Sequence, residues 1–359
     1  FDELLPGLVK ELSPELPYWP SSPHTPGDDR LDYNDPQKGD AHLWSVWHGR
    51  EPFEWYRTCE HRFNSEFGFQ SFPEPSVVNG YTPKDERNIS SYIMELHQRS
   101  GIGNEVIIGY MLSWFRLPYT FDKTLWLSQI LQGMAIKYAV EHWRRKMPQG
   151  MGTLYWQLND CWPVASWSSI DFPGNWKALH YMARDFYAPL LISAVEDPAK
   201  GTIELHVSND NLKSAEGTVR WSVVSVDGTT IDGGSFPAKI GPSSSKKIKT
   251  VDLSGVLAKH GERNVLVWLA LEIDNKTVSQ NFATFTRPKH LLLKQPAISL
   301  NPKERTDGSF EITIKSTKPA LWVWIDLPEV QADYSDRFFH LIESKAAKIV
   351  VKPWKKGTL

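Results

Sequence analysis

Cysteine is scarce. Cys59 and Cys161 are the two in 359 residues, so at most one bridge can form and no disulfide framework holds the chain. No charge of one sign dominates. The formal net charge is -2, which gives no electrostatic footprint for nucleic acid or an anionic membrane. No apolar run approaches the roughly 20 residues of a membrane span. The 11 histidines show no metal-ligand spacing, so neither metal nor cofactor is expected. The stretch GIGNE (Gly101–Glu105) lacks the full glycine pattern and the preceding strand of a nucleotide loop. The chain opens on Phe1 without an initiator Met or a signal peptide, which fits a processed product or a fragment.

Tryptophan, by contrast, is abundant. Eleven of the 16 lie between Trp19 and Trp176. A buried indole N–H wants a partner, so so many indoles in one stretch call for a purpose. A large aromatic core and a sugar-binding surface both meet that demand, and composition leaves the two open. Sequons at Asn88 (NIS) and Asn275 (NKT) are candidate glycosylation sites and suit a secreted or lysosomal route.

Texture divides the chain into three regions. Residues 1–188 mix helical periods with short apolar runs. LWLSQILQGMAIKYAVEHWRRKM has helical spacing and closes on Arg144, Arg145 and Lys146, with Pro148 beyond, as the negative end of a helix favours. Strands are expected near Tyr18–Trp19 and at Ala41–Trp47, His61–Phe67 and Gly152–Leu158. Alternating strand and helix is the rhythm of a (β/α)8 barrel, yet about four strands are half of what closure needs. Half a barrel would leave strand edges open. The pattern therefore predicts the C-terminal half of a barrel, its other half preceding it in the same precursor or as a separate chain. Residues 189–286 and 287–359 alternate apolar and polar positions between turn residues, as in GTVRWSVVSVDG and FEITIKS, and predict two immunoglobulin-like β-sandwich domains in series. Pro288-Lys289 is the expected joint.

Barrel enzymes carry their chemistry at the C-terminal ends of the strands. Glu66 in RFNSEFGFQSFPE, Trp44 to His48, and Trp156 with Asn159 and Asp160 would share that face. Phe63, Phe67 and Phe69 crowd Glu66, and a buried carboxylate needs donors or a task. A solvated or structural acid is the competing reading. Cys59 precedes one strand and Cys161 follows another, so they are expected at opposite ends of the barrel, as free buried thiols. Asn104-Glu105 precedes an apolar run, VIIGYMLSWF, and reads as the structural start of that segment.

NSEFGFQSFPE, YWPSSP (Tyr18–Pro23), HLWSVWHG (His42–Gly49) and GTLYWQLNDCWPVASWSSID (Gly152–Asp171) together resemble the β-mannosidase branch of glycoside hydrolase family two. The resemblance implies exo-hydrolysis of terminal β-mannose with retention of configuration. It implies that Glu66 is the nucleophile, that Trp156 packs on the sugar, and that Trp44, Trp47 and His48 line the pocket. Asn159 and Asp160 would bind sugar hydroxyls or shape the loop. The family's acid/base, a Glu after Asn at the end of the fourth strand, has no counterpart before Glu66 here. Leu43 stands where the resemblance leads one to expect Tyr. Other family-two activities remain alternatives: exo-β-glucosaminidase, β-galactosidase and endo-β-mannosidase. From another class, so does a non-catalytic carbohydrate-binding β-sandwich protein.

Overall fold

The computed structural model describes residues 1–27, 32–327, 330–342 and 345–354. The end of the third region, as divided from sequence, therefore falls outside the described residues.

The first region contains α1 (Leu4–Leu12), β1 (Ala41–His42), β2 (Phe63–Glu66), α2 (Pro75–Tyr81), α3 (Tyr92–Leu96), α4 (Gly103–Trp114), α5 (Phe121–Arg145), β3 (Gly152–Thr153) and α6 (Ala178–Phe186). The three strands form one parallel sheet in the order β1-β2-β3. They are shorter than the sequence predicts. Ladder-like bonds continue beyond them, from Leu43 N–H to Glu66 O (2.8 Å) and from Trp156 N–H to Phe67 O (2.8 Å). The chain then turns into aromatic loops that no longer keep a strand's spacing. Tyr18–Trp19 is not a strand. Trp19 instead sends its indole N–H to Asp40 Oδ1 at 3.3 Å.

Helix α5 runs behind this sheet. Thr120 caps it by accepting from Lys123 N–H (3.3 Å), Asp122 lies in its first turn, and Arg144 and Arg145 close it, each charge at the favourable pole. Two buried amides on α5 fix the loops above the sheet. Gln132 Nε2 donates to the carbonyls of Phe69 (2.8 Å), Trp167 (3.0 Å) and Ser168 (3.1 Å). Gln129 Nε2 donates to Phe72 O (3.2 Å), and its Oε1 accepts from Ala178 N–H (3.1 Å). A buried amide must satisfy its polar atoms, so these contacts tie the loop ends to a long rigid helix.

The second region is antiparallel: β4 (Leu190–Asp197), β5 (Thr202–Asn209), β6 (Ala215–Ser225), β7 (Thr230–Ile240), β8 (Ser244–Asp252), α7 (Ser254–His260), β9 (Val265–Ile273) and β10 (Lys276–Ala283). Its sheets, β10-β9-β6-β7 and β4-β5-β8, share a core that includes Leu205, Val207, Val223 and Leu269. The third region holds β11 (Ile298–Glu304), β12 (Phe310–Ser316), β13 (Ala320–Val323), β14 (Ala332–Tyr334), β15 (Phe339–Leu341) and β16 (Ala347–Pro353), in sheets β11-β12-β16-β14 and β13-β15. Ile314, Leu341 and Val351 lie at its centre.

These regions are joined by packing. Trp322 and Phe338 of the third belong to the same apolar cluster as α4 and α5. Arg57 pairs with Glu196 of β4 at 2.9 Å. Both cysteines are free, but Cys161 is exposed, so the expectation of two buried thiols holds for Cys59 alone. Cys161 sits in an irregular loop beyond β3, where no strand or helix covers it.

Candidate active site

Parallel register sets His42 of β1 opposite Glu66 of β2. Side chains alternate along extended chain, so Asp40, His42 and Trp44 share one face. Two side-chain nitrogens converge on one oxygen of Glu66. Trp44 Nε1–H donates to Oε2 at 3.2 Å, and His42 Nδ1 lies 3.2 Å from the same atom. Glu66 is half-buried, its side chain 27% exposed, so a small molecule can reach it.

Trp156 leaves the end of β3 with 43% of its surface exposed and the Trp156–Gln157 peptide cis. Gly68 separates Trp156 from Trp44: a β-carbon on it would meet Trp156 O at 2.5 Å and Trp44 Cη2 at 2.9 Å. Glu66, Trp44 and Trp156 are thus gathered at the C-terminal ends of three adjacent parallel strands.

The remaining candidates take different positions. Trp47 is fully buried, edge-on to Phe69 and Trp167, so it braces the wall behind Trp44 rather than offering a face. His48 is exposed and tilted against Trp44 at 5.3 Å. Asn159 is exposed, and its carbonyl accepts from Gln157 Nε2 at 3.1 Å. Asp160 is buried and accepts from Ser166 (2.8 Å) and Ser168 (2.5 Å), bonds that shape the loop. Asn88 closes a local turn, accepting from Ser90 N–H at 3.0 Å, and Asn275 is exposed at the β9–β10 hairpin. Glu105 stands in the first turn of α4 and pairs with Arg50 at 2.8 Å, as a structural helix start would.

Several polar groups around the site were not singled out from sequence. Lys177 is 1% exposed beneath the Trp156 loop, and its ammonium donates to Ser71 O (3.3 Å) and Ser166 O (3.4 Å). Burial pulls it down to about 8, against the attraction of Asp160 and Asp171. Asp171 is pushed up to about 7 by burial and by nearby Glu74, against donors from Asn175. His42 was legible in principle: the D-x-H-x-W alternation puts it on the face of Trp44. Lys177 carried no signal, because its burial depends on contacts 106 residues apart in sequence.

Comparison with known proteins matches residues 201–290 to a mannosidase Ig/CBM-like domain and residues 293–359 to an Ig-fold domain. Over 340 residues the chain is 26% identical to β-mannosidase B of Aspergillus flavus, covering 89% of this chain and 39% of the relative. β-Mannosidase B of Aspergillus niger is 30% identical over 243 residues, 63% of this chain and 28% of that protein. The crystal structure of a β-D-mannosidase from Dictyoglomus thermophilum superposes with a TM-score of 0.88 at 30% identity, over 98% of this chain and 42% of the other. An exo-chitosanase from Amycolatopsis orientalis shares the fold at 17% identity, TM-score 0.69, over 88% of this chain and 43% of the other. The chain is homologous to β-mannosidases over nearly all its length, and it spans well under half the length of these relatives.

Proposed function

We propose that this chain is the C-terminal part of a retaining exo-β-mannosidase of glycoside hydrolase family two, with Glu66 as nucleophile. The observation that carries the reading is Glu66 at the C-terminal end of the central parallel strand, with Trp44 bonded to it and the main chain of Trp156 bonded to Phe67, the next residue. A carboxylate bonded by an indole N–H, with an exposed tryptophan leaving the neighbouring strand, suits glycoside chemistry.

In the first step a Glu66 carboxylate oxygen attacks the anomeric carbon while an acid protonates the leaving oxygen. In the second, water cleaves the glycosyl ester and the same acid acts as base. Retention needs the two carboxyl groups about 5–5.5 Å apart. Trp156 packs on the sugar. Trp44 and His48 line the pocket, Trp47 backs it, and Asn159 and Asp160 meet hydroxyls or hold the loop.

Residues 1–188 form the C-terminal half of a (β/α)8 barrel, residues 189–286 a β-sandwich domain and residues 287–359 an immunoglobulin-like one. The acid/base belongs to the preceding half. Among the described residues no further strand pairs with the outer edge of β1 or β3, although Asn34 bonds the His42 main chain at the β1 edge. Helix α1 has no buried residue and exposes Leu4, Leu5, Leu8 and Leu12. The preceding half packs on these surfaces. Among the described residues no helix is long and apolar enough to cross a membrane. The sequons support a secreted or lysosomal glycoprotein.

The test is covalent trapping in the full-length protein. A 2-fluoro mannosyl inhibitor should label Glu66, and Glu66→Gln should lower turnover by more than about 10³-fold. A label on another residue, or full turnover in Glu66→Gln, overturns the assignment. A panel of nitrophenyl glycosides tests the sugar. Preference for glucosaminide or galactoside would replace mannose while keeping the nucleophile.

A further inference from the structure

Behind His42 lies a hydrogen-bonded chain that the catalytic reading does not use. His42 Nε2 is 3.0 Å from Ser22 Oγ. Ser22 Oγ is 2.5 Å from Asp40 Oδ2, and Ser65 Oγ is 2.5 Å from that same oxygen. The other oxygen, Oδ1, accepts from His24 N–H (2.9 Å) and Trp19 Nε1–H (3.3 Å). Asp40 is 9% exposed. Burial alone would raise its carboxyl, but the donors from Ser22, Ser65, His24 and Trp19 outweigh that and hold it below the usual carboxylate range. Asn34 clamps the His42 main chain from both sides. Its Nδ2 donates to His42 O (3.0 Å), and its Oδ1 accepts from His42 N–H (2.9 Å).

Counting protons gives this cluster a direction. Each serine has one hydroxyl proton, and both serines lie against the Asp40 carboxylate. With both protons given to Asp40, Ser22 Oγ presents a lone pair to His42 Nε2. At the other end Nδ1 faces Glu66 Oε2. Both ring nitrogens thus lie against oxygens; a neutral ring has one N–H and donates to one of them, and the other contact sets where the ring sits. His42 and Trp44 together engage Oε2 of Glu66. Among the described residues Oε1 has no hydrogen-bond partner, so Oε1 is the oxygen left to attack.

We propose that Asp40 is a positioning residue for Glu66, acting through Ser22 and His42 to hold Oε2 and aim Oε1 at the anomeric carbon. This rests on Glu66 being the nucleophile. A merely structural cluster would pin the Trp19–His24 segment to the sheet and affect stability alone. A positioning cluster controls the rate of nucleophilic attack, because small misplacements of a reacting atom can cost about 10²-fold.

The experiment uses the full-length enzyme and the variants Asp40→Asn, Ser22→Ala and Ser22→Thr. Asp40→Asn turns an amide N–H₂ toward existing donors and can disturb folding, so the exposed Ser22 gives the cleaner pair. The readouts are kcat, KM, the rate of inactivation by a 2-fluoro mannosyl fluoride, and the thermal midpoint. Ser22→Ala should lower kcat and the inactivation rate about 3- to 10-fold, with KM and midpoint unchanged, and Asp40→Asn by about 10- to 100-fold. Ser22→Thr, which keeps the hydroxyl, should restore the Ser22→Ala loss. Wild-type inactivation rates in Ser22→Ala, or a fall confined to KM or the midpoint, overturn the proposal. Glu66→Gln separates the two readings. If it is inert while the Ser22 and Asp40 variants keep wild-type kcat, the positioning role alone fails. If it turns over normally, the nucleophile assignment fails and the positioning role falls with it.

Discussion

Gly68 lies so close to Trp156 that a β-carbon on it would stand 2.5 Å from the Trp156 carbonyl oxygen. The same atom would meet Trp44 Cη2 at 2.9 Å and Trp167 Cδ1 at 3.0 Å. Its backbone is not left-handed, so the requirement is for space and not for conformational freedom. Gly68→Ala must move main chain or two indole rings. It is expected to cost about 1–3 kcal/mol in stability, the usual penalty for overpacking. Turnover should fall more than stability implies, by about tenfold or more, because Trp44 and Trp156 both shift against Glu66. Steady-state kinetics beside thermal unfolding checks this. A stable, fully active Gly68→Ala would mean that the two indoles need not hold their places.

Trp44 offers a narrower cut. Its Nε1–H donates to Glu66 Oε2 at 3.2 Å, and its ring stands edge-on to Trp167 at 6.1 Å. Trp44→Phe keeps an aromatic ring and removes the donor. A hydrogen bond to a charged group is worth about 1.5–3 kcal/mol, so kcat should drop about 10- to 100-fold. KM should change little if the bond matters more in the transition state than in the bound substrate. An unchanged kcat would show that the indole serves the pocket through its surface alone.

Legibility in the sequence followed locality. Helix α5 was readable because its period, cap and closing charges lie in one continuous stretch. The sandwich strands were readable because alternation is local as well. Glu66 stood out because a charge inside NSEFGFQ breaks the apolar texture around it. The strands of the first region were overextended, since the aromatic loops that follow them are as apolar as strands. Trp47 was grouped with the pocket because nothing local separates it from Trp44, although three residues along a loop turned it into the wall. The cluster on Asp40 was invisible for a different reason. It gathers residues 19, 22, 24 and 65, which only the folded chain brings to one carboxylate.

One buried cation helps to dock the third region. The Arg337 side chain is 2% exposed and bonds Glu74 Oε2 at 3.2 Å, with Asp326 Oδ1 at 3.8 Å. Its guanidinium lies over the rings of Tyr334 (4.4 Å) and Trp126 (4.8 Å), which belong to different regions of the chain. Arg337→Met keeps much of the volume and leaves half-buried Glu74 without its cation, with Ser76 Oγ–H still donating to Oε1 at 2.6 Å. Breaking one side of a buried pair costs about 3–5 kcal/mol. Adding Glu74→Gln should recover part of that loss, since the stranded charge is gone. Thermal unfolding of the two single variants and the double variant measures the coupling. Additive losses would reject it.

His142 gives the protein a defined acid sensitivity. It is 6% exposed at the end of α5, with Nε2 2.9 Å from Cys59 O. Burial and then Arg145 pull it from 6.5 down to about 4, against the Cys59 carbonyl that favours its proton. The unfolded chain therefore binds this proton from about pH 6.5, whereas the folded chain resists it until about pH 4. The stability this site contributes is complete above pH 6.5 and is lost as pH falls through that window, at up to about 1.4 kcal/mol per pH unit. Asp171, pushed up to about 7 by burial and by nearby Glu74, acts with the opposite sign in the same range. Comparison with a variant isolates the histidine. His142→Gln keeps a donor for Cys59 O and cannot take up the proton. Urea unfolding at pH 7 and pH 5 should show the wild type losing about 1–2 kcal/mol more than His142→Gln across that step. Equal losses would mean that the imidazole takes up its proton in the folded chain as readily as in the unfolded one.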